Sequence, residues 1–318
     1  MPSPGATLGR QHLPSVPRLM RAPPTLELRS FGRTGATTIL GLGTRRLADA
    51  GQQATIRVIR EAIDAGINVL EISPGFGEGR AERWVALALK DGYREKVNLV
   101  WQCAAYLRDY KTSMAQLEAT LALLKTDRVE VFSFHQMIYD NDPDWLYDHG
   151  GLDAAQEARD QGRARWLGFH AEKSPHIAVK LMARGFAWDV ALMPLNPFDA
   201  SFRSFEKQVL PEVIRRGGSV IATKPLAGGA VNGSKVVKVD DAFRYVWSLP
   251  VSSVLVGCDS SPILRKTVKA ATSYKPFHAG EMDALRAKAR PVAGDGRFER
   301  YKTTQEFDMP AGLAVHGY

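Results

Sequence analysis

The stretch Leu152-Asp-Ala-Ala-Gln-Glu-Ala-Arg-Asp-Gln-Gly-Arg-Ala-Arg-Trp-Leu-Gly-Phe169 sets the pattern of the whole chain. Residues 152–161 have the spacing of an amphipathic helix, Gly162 breaks it, and 164–169 form a short apolar run of strand character. Working outward, the same unit recurs on both sides. The apolar runs at 39–42, 68–72, 97–101, 129–134, 164–169, 189–193, 219–222 and 252–256 predict eight strands. Helical spacing follows each of them, at 54–65, 79–90, 113–125, 152–161, 175–184, 205–216, 240–248 and 263–271. Strands that are apolar throughout, each followed by a crossover helix, are what a parallel sheet buried under helices requires. Eight such units close into an α/β fold of the (β/α)8 or TIM-barrel type.

Two additions frame the barrel. Residues 26–31 and 37–40 flank Gly32-Arg33-Thr34-Gly35 and read as a hairpin that plugs the barrel bottom. A further helix is expected at 276–289, and the polar tail 295–318 is expected to wrap the outside. No composition shift divides 25–318, which therefore reads as a single domain. Residues 1–24 hold six of the 18 prolines, Arg10, Arg18 and Arg21, and no acidic residue, and read as a disordered basic arm.

That arm carries +3 of the formal charge of +8 over 318 residues. The rest is scattered along helices without a basic run or an aromatic-interleaved stripe, which argues against nucleic acid as a partner. No apolar run reaches the roughly 18 residues of a membrane helix, and the N-terminus lacks a secretory apolar core, so a soluble protein without a membrane partner is expected. Cys103 and Cys258 are the only cysteines, too few for a disulfide framework or a zinc site. They suit a reducing cytoplasm, and no metal is expected.

The residues resemble the aldo/keto reductase superfamily. The resemblance is carried by Phe31-Gly-Arg-Thr-Gly35 with Gly41-Leu-Gly-Thr44, by Ala62-Ile-Asp-Ala-Gly-Ile-Asn68, and by Gly75-Phe-Gly-Glu-Gly-Arg-Ala-Glu82. It continues through the strand ending at His135, Gly162-Arg-Ala-Arg-Trp-Leu-Gly168, Met193-Pro-Leu-Asn196, Lys224-Pro225-Leu226-Ala-Gly228-Gly229 and Tyr301-Lys-Thr-Thr304. It covers 26–318 and is similar to a bacterial subgroup with a longer tail. The family fold is a TIM barrel with its site at the C-terminal strand ends, and it implies NADP or NAD as cofactor.

The resemblance also implies four reacting side chains: a tyrosine that protonates the substrate oxygen, a lysine paired with an aspartate that lowers the tyrosine pKa, and a histidine. Laid on without gaps, the aspartate falls on Glu71, the tyrosine on Phe76, the lysine on Gln102 and the histidine on His135. Three readings stand open. The first is a family-like barrel without standard carbonyl reduction that retains nucleotide or phosphate binding. The second is an NAD(P)-dependent reductase of carbonyl compounds using His135 or a water as proton donor. The third is a non-redox acid/base enzyme using Glu71 and His135.

The resemblance implies nicotinamide contacts at His170-Ala171 and Leu192, where the family's polar anchors are changed. On the phosphate side, Lys224, Pro225, Leu226, Gly228 and Gly229 place a cation and close-approaching backbone after strand seven. Gly257-Cys-Asp-Ser260 precedes a helix carrying Arg265 and Lys266, a candidate anion site. The expected partner is a small-molecule or nucleotide ligand at the barrel's C-terminal face. Trp101, Tyr106, Tyr110, Tyr139, Trp145 and Tyr147 suggest either a substrate mouth or an oligomer surface.

Overall fold

The structure is a computed structural model that describes residues 25–32 and 35–318. The arm read at 1–24 and the hairpin tip Arg33-Thr34 lie outside the described residues. Strands β1 (Leu28–Phe31) and β2 (Gly35–Thr38) pair antiparallel. They are followed by β3 (Leu40–Gly43), β4 (Val69–Ile72), β5 (Asn98–Cys103), β6 (Val129–Phe134), β7 (Ala164–His170), β8 (Val190–Pro194), β9 (Ser219–Thr223) and β10 (Ser253–Val256). These eight pair in parallel, each with the next, and β10 returns to β3, so the barrel is closed. The expected (β/α)8 barrel is what forms. Leu40, which the expected hairpin and the expected first strand shared, opens β3.

The interior near the bottom is apolar. Phe31, Val69, Val100, Val131, Trp166, Val190, Leu192, Ile221 and Leu255 form one buried cluster. Phe31 meets Trp166 edge to face, with ring centroids 5.0 Å apart, and the hairpin is thereby the expected plug. The turn needs its glycines: a Cβ on Gly32 would lie 2.2 Å from Trp166 Nε1, and Gly32 itself has φ +55°. A larger cluster fills the layer between the strands and the surrounding helices, with Leu42, Ile72, Trp101, Phe132, Phe134 and Phe169 pointing out of the barrel into it.

The covering helices are α1 (Gln52–Asp64), α2 (Arg80–Ala88), α3 (Tyr110–Leu124), α4 (Asp142–Asp148), α5 (Gly151–Asp160), α6 (Pro175–Ala183), α7 (Phe205–Gln208), α8 (Leu210–Arg215), α9 (Ala230–Ser234), α10 (Val239–Trp247) and α11 (Ser261–Ser273). The expected helix 205–216 is in fact two, α7 and α8. Pro211 supplies no amide hydrogen to continue the ladder of α7, and it sits in the first turn of α8 where none is required. Helices α4 and α9 lie in loops with no expected element.

After α12 (Ala279–Ala293), the tail does not wrap the outside but folds over the C-terminal mouth. In α13 (Arg300–Thr303), Lys302 is fully buried, 2.6 Å from Asp199 and 2.9 Å from Glu299. The Phe307 carbonyl accepts from Gln136 Nε2 at 2.9 Å, the Met309 amide donates to Gln136 Oε1 at 2.9 Å, and Lys173 pairs with Asp308. In α14 (Pro310–Val315) Gly312 packs on Tyr106, and beyond it His316 stacks on Tyr139 and Trp145. A polar tail without periodicity can still dock when charged groups beyond the strand ends offer it partners.

Candidate active site

In parallel strands of a closed barrel, residues at the C-terminal ends face one shared mouth. Here that mouth opens into a cavity of about 620 Å³. Its deep end is lined by Gly43, Arg45, Glu71, Phe76, His135, His170, Glu172 and Lys224, and its outer part by Pro225, Leu226, Gly228, Gly229, Gly257, Asp259, Lys266 and Phe307 among others.

Glu71 lies on β4 and Gln102 on the adjacent β5. The Gln102 amide donates to Glu71 Oε1 at 3.1 Å. Gly43, across the other edge of β4, leaves room for the carboxyl: a Cβ there would approach Glu71 Oε2 to 3.0 Å. Burial raises the Glu71 carboxyl above its ordinary range, and the Gln102 bond and the charge of Lys224 offset this only in part. A carboxyl beside a neutral amide is thereby kept protonated longer than one beside an ammonium. Phe76 is buried with Ala48 and Ala81, and its ring meets His135 edge to face at 5.5 Å.

His135 follows β6, and its Nδ1 is 2.8 Å from the Tyr106 hydroxyl. Burial and the neighbouring His170 push the His135 imidazole well below its ordinary range, so it is neutral. The Tyr106 hydroxyl is itself pushed up by burial, so both partners of this contact are uncharged. His170 stacks on His135 with centroids 5.3 Å apart, and burial lowers it to about 4. Both ring nitrogens of His170 are buried without a hydrogen-bond partner; Glu172 Oε2 is 3.7 Å from its Nε2, too far for one.

Glu172 was not among the sequence candidates, yet it organises this side of the mouth. It lies 2.9 Å from Lys224 Nζ and accepts from Gln136 Nε2 at 2.7 Å. Burial alone would raise its carboxyl, but Lys224, His170 and Gln136 outweigh that and hold it well below the carboxylate range. Lys224 adopts φ +52°, a left-handed backbone that an L residue holds only when its surroundings impose it. Arg45 and Phe307 were likewise not assigned to the site, and Tyr106, named only with the aromatic cluster, lies against His135. Arg45 and Glu172 carry a legible signal, since each is an ionisable residue two positions beyond a barrel strand.

The remaining sequence candidates divide. Gly228 and Gly229 have φ +67° and +103° and, with Gly257 and Lys266, line the outer cavity. Leu192 does not line it; the side chain points into the apolar layer inside the barrel. Arg265 points away to Glu61 at 3.4 Å on the exposed outer face, and Ser260 is the residue before α11 without a side-chain cap. Arg108 pairs with Asp142 and donates to the carbonyls of His135 and Gln136, so it props the loop beyond β6.

The aromatic cluster is not one surface. Trp101 is in the barrel–helix core, bonded to Thr120, Tyr110 reaches Glu157 outside, and Tyr139 and Trp145 receive the tail. Cys103 and Cys258 are buried free thiols, each pushed up to about 11 by burial. Among the described residues no cluster of His, Cys, Asp and Glu could hold a metal ion, and no helix is long and apolar enough to cross a membrane.

A closed eight-stranded barrel with a polar cavity at its C-terminal mouth defines the class of protein. The aldo/keto reductase family model matches residues 39–285, most of the chain, and the protein belongs to that family. It is similar to the aldo-keto reductase YhdN of Bacillus subtilis, 23% identical over 239 residues that cover 69% of this chain and 67% of that one. It is also similar to the L-galactose dehydrogenase of Arabidopsis thaliana, 22% identical over 306 residues, covering 79% and 89%. Among solved structures, an aldo-keto reductase from Bacillus halodurans in its holo form superposes with a TM-score of 0.73 at 18% identity, covering 86% of this chain and 99% of that one.

Proposed function

We propose that this chain holds a nicotinamide dinucleotide, NADP or NAD, in the mouth cavity and does not carry out tyrosine-driven carbonyl reduction. The observation that carries this reading is the Glu71–Gln102 pair beside Phe76. Protonating a carbonyl oxygen in that way needs a hydroxyl whose pKa a nearby cation lowers. Phe76 has no hydroxyl, and Gln102 gives the carboxyl a hydrogen bond without a charge.

The cavity suits the dinucleotide nevertheless. Lys266 and Arg46 supply cations beside the Lys224–Glu172 pair, and the left-handed glycines Gly228 and Gly229 admit a phosphate close to the backbone. At the deep end, the two unpartnered nitrogens of His170 are available to a carboxamide. When bound, a reduced nicotinamide supplies a hydride. Lys224, Gly228, Gly229, Gly257 and Lys266 would hold its phosphates, and Phe76 and Phe307 would keep water from its deep end. Action in a reducing cytoplasm accords with two buried free thiols.

One observation favours a second reading. Glu71 is raised by burial and lines the same cavity as His135, so its carboxyl could deliver a proton to a substrate whose charge develops at the mouth. The non-redox acid/base reading draws less support, because burial and the neighbouring His170 make His135 a weak base.

The test is a calorimetric titration of the purified protein with NADPH and NADH, followed by turnover with simple aldehydes. Saturable binding of either nucleotide with no steady oxidation is expected, and joint Phe76→Tyr and Gln102→Lys replacement should bring oxidation out. No binding of either nucleotide overturns the proposal. Steady oxidation by the unaltered protein that disappears in Glu71→Gln or His135→Ala establishes the second reading.

A further inference from the structure

The deep end of the cavity does not balance its own charge. Glu172 and Lys224 neutralise one another at 2.9 Å, Glu71 is kept toward its neutral form, and both histidines are neutral. Arg45 remains. It is half-buried, lines the cavity and makes no ion pair or hydrogen bond among the described residues. Its charge nevertheless acts on Glu71, Tyr106, His135 and His170, the groups of the deep end. A guanidinium partly removed from water with no partner is unfavourable, and so is a buried imidazole whose two nitrogens are unbonded. Both deficits face one space, and His170 is 4% exposed.

We propose that this space recognises a small organic monocarboxylate, its charge held by Arg45 and its body against Phe76, His135 and His170. The inference deepens the proposed function by naming a substrate class, and it rests on that reading only in taking the cavity as a ligand site. The charge count selects among anions. At the deep end a monoanion neutralises Arg45, whereas a phosphate dianion would add a second negative charge close to Glu71 and Glu172. The planar fork of a guanidinium matches a carboxylate bidentately, and Phe76 offers an apolar wall to the uncharged remainder. Arg46, one residue on, belongs to the outer part, where its side chain lies against Gly257.

The experiment is a calorimetric titration of the full chain with monocarboxylates from acetate to benzoate, with benzamide as the neutral isostere and with inorganic phosphate. Each is run with and without saturating NADPH. Benzoate is expected to bind at least tenfold more tightly than benzamide and than phosphate, and Arg45→Gln should weaken it about 10- to 100-fold, the range of a lost charge-assisted bond. Arg45→Lys should recover part of that affinity, because it keeps the charge without the fork. An unchanged thermal midpoint in Arg45→Gln establishes that the fold is intact. Equal binding of benzoate and benzamide, tighter binding of phosphate that Arg45→Gln abolishes, or indifference of benzoate to Arg45→Gln overturns the proposal. NADPH binding without carboxylate binding overturns it and leaves the proposed function standing. Arg45-dependent benzoate binding without nucleotide binding supports it and overturns the proposed function.

Discussion

The two ends of this barrel are built from the same strands and obey different rules. At the bottom, Phe31 and Trp166 close a layer of aliphatic side chains, where area removed from water is the stabilising term. At the mouth, a few residues along the same strands or just beyond them, the buried groups are Glu71, Gln102, His135, His170, Glu172 and, fully enclosed, Arg108 with Asp142. Several of these are satisfied by one another, and some are not: Gln102 Oε1 and both nitrogens of His170 have no partner. An apolar layer can be completed by the chain alone, whereas a polar one that stays incomplete is where a ligand has something to contribute.

The largest effect that separates the ends is expected from Trp166→Ala. It removes the ring that Phe31 and the hairpin pack on, and about 3–5 kcal/mol of stability should be lost in urea denaturation. Nucleotide titration of the surviving folded fraction should be unchanged. If affinity falls as well, the two ends are coupled and the contrast is weaker than drawn. Glu172→Gln is the mouth counterpart. It keeps the shape and a partner for Gln136 but leaves Lys224 without its counter-charge, and about 1–3 kcal/mol is expected to be lost, since Lys224 is partly exposed. Unlike Trp166→Ala, it should also change nucleotide affinity.

The pH dependence sharpens the comparison further. His170 binds a proton less readily folded than unfolded, so its contribution is complete above pH 6.5 and is lost as pH falls through about 4. His135 acts in the same direction. Glu71, raised, works the other way, its contribution present at low pH and lost as pH rises through its folded value. The thermal midpoint should therefore fall between pH 6.5 and 4. His170→Gln should flatten that fall, whereas Trp166→Ala should lower the midpoint at every pH with the slope intact. An unaltered slope in His170→Gln would remove the histidines from this account.

Much of the fold was legible. Each barrel strand fell within about two residues of its expected run, because a strand buried on both faces must be apolar throughout and is bounded by a break. The exceptions have local causes. Pro211 divided an apparently continuous helix, and α4 and α9 occupy loops whose composition carries no apolar period. Within the cavity, Glu71, Phe76, His135, His170 and Lys224 are brought together, whereas Leu192 and Arg265 are not. Leu192 turns to the apolar interior by the alternation of its strand. Arg265 takes the outward face of α11, a choice that helical spacing within one turn does not make.

The sequence by itself determined the eightfold alternation, the hairpin plug and the chemical identity of Phe76 and Gln102, since periodicity and side-chain type are local properties. Only the tertiary structure decided that the tail covers the mouth, that Glu172 neutralises Lys224, and that Tyr106 backs His135. Each of these joins groups from separate βα loops or from the far end of the chain. Which charges meet there depends on barrel closure, and so does the unpaired position of Arg45 at the deep end.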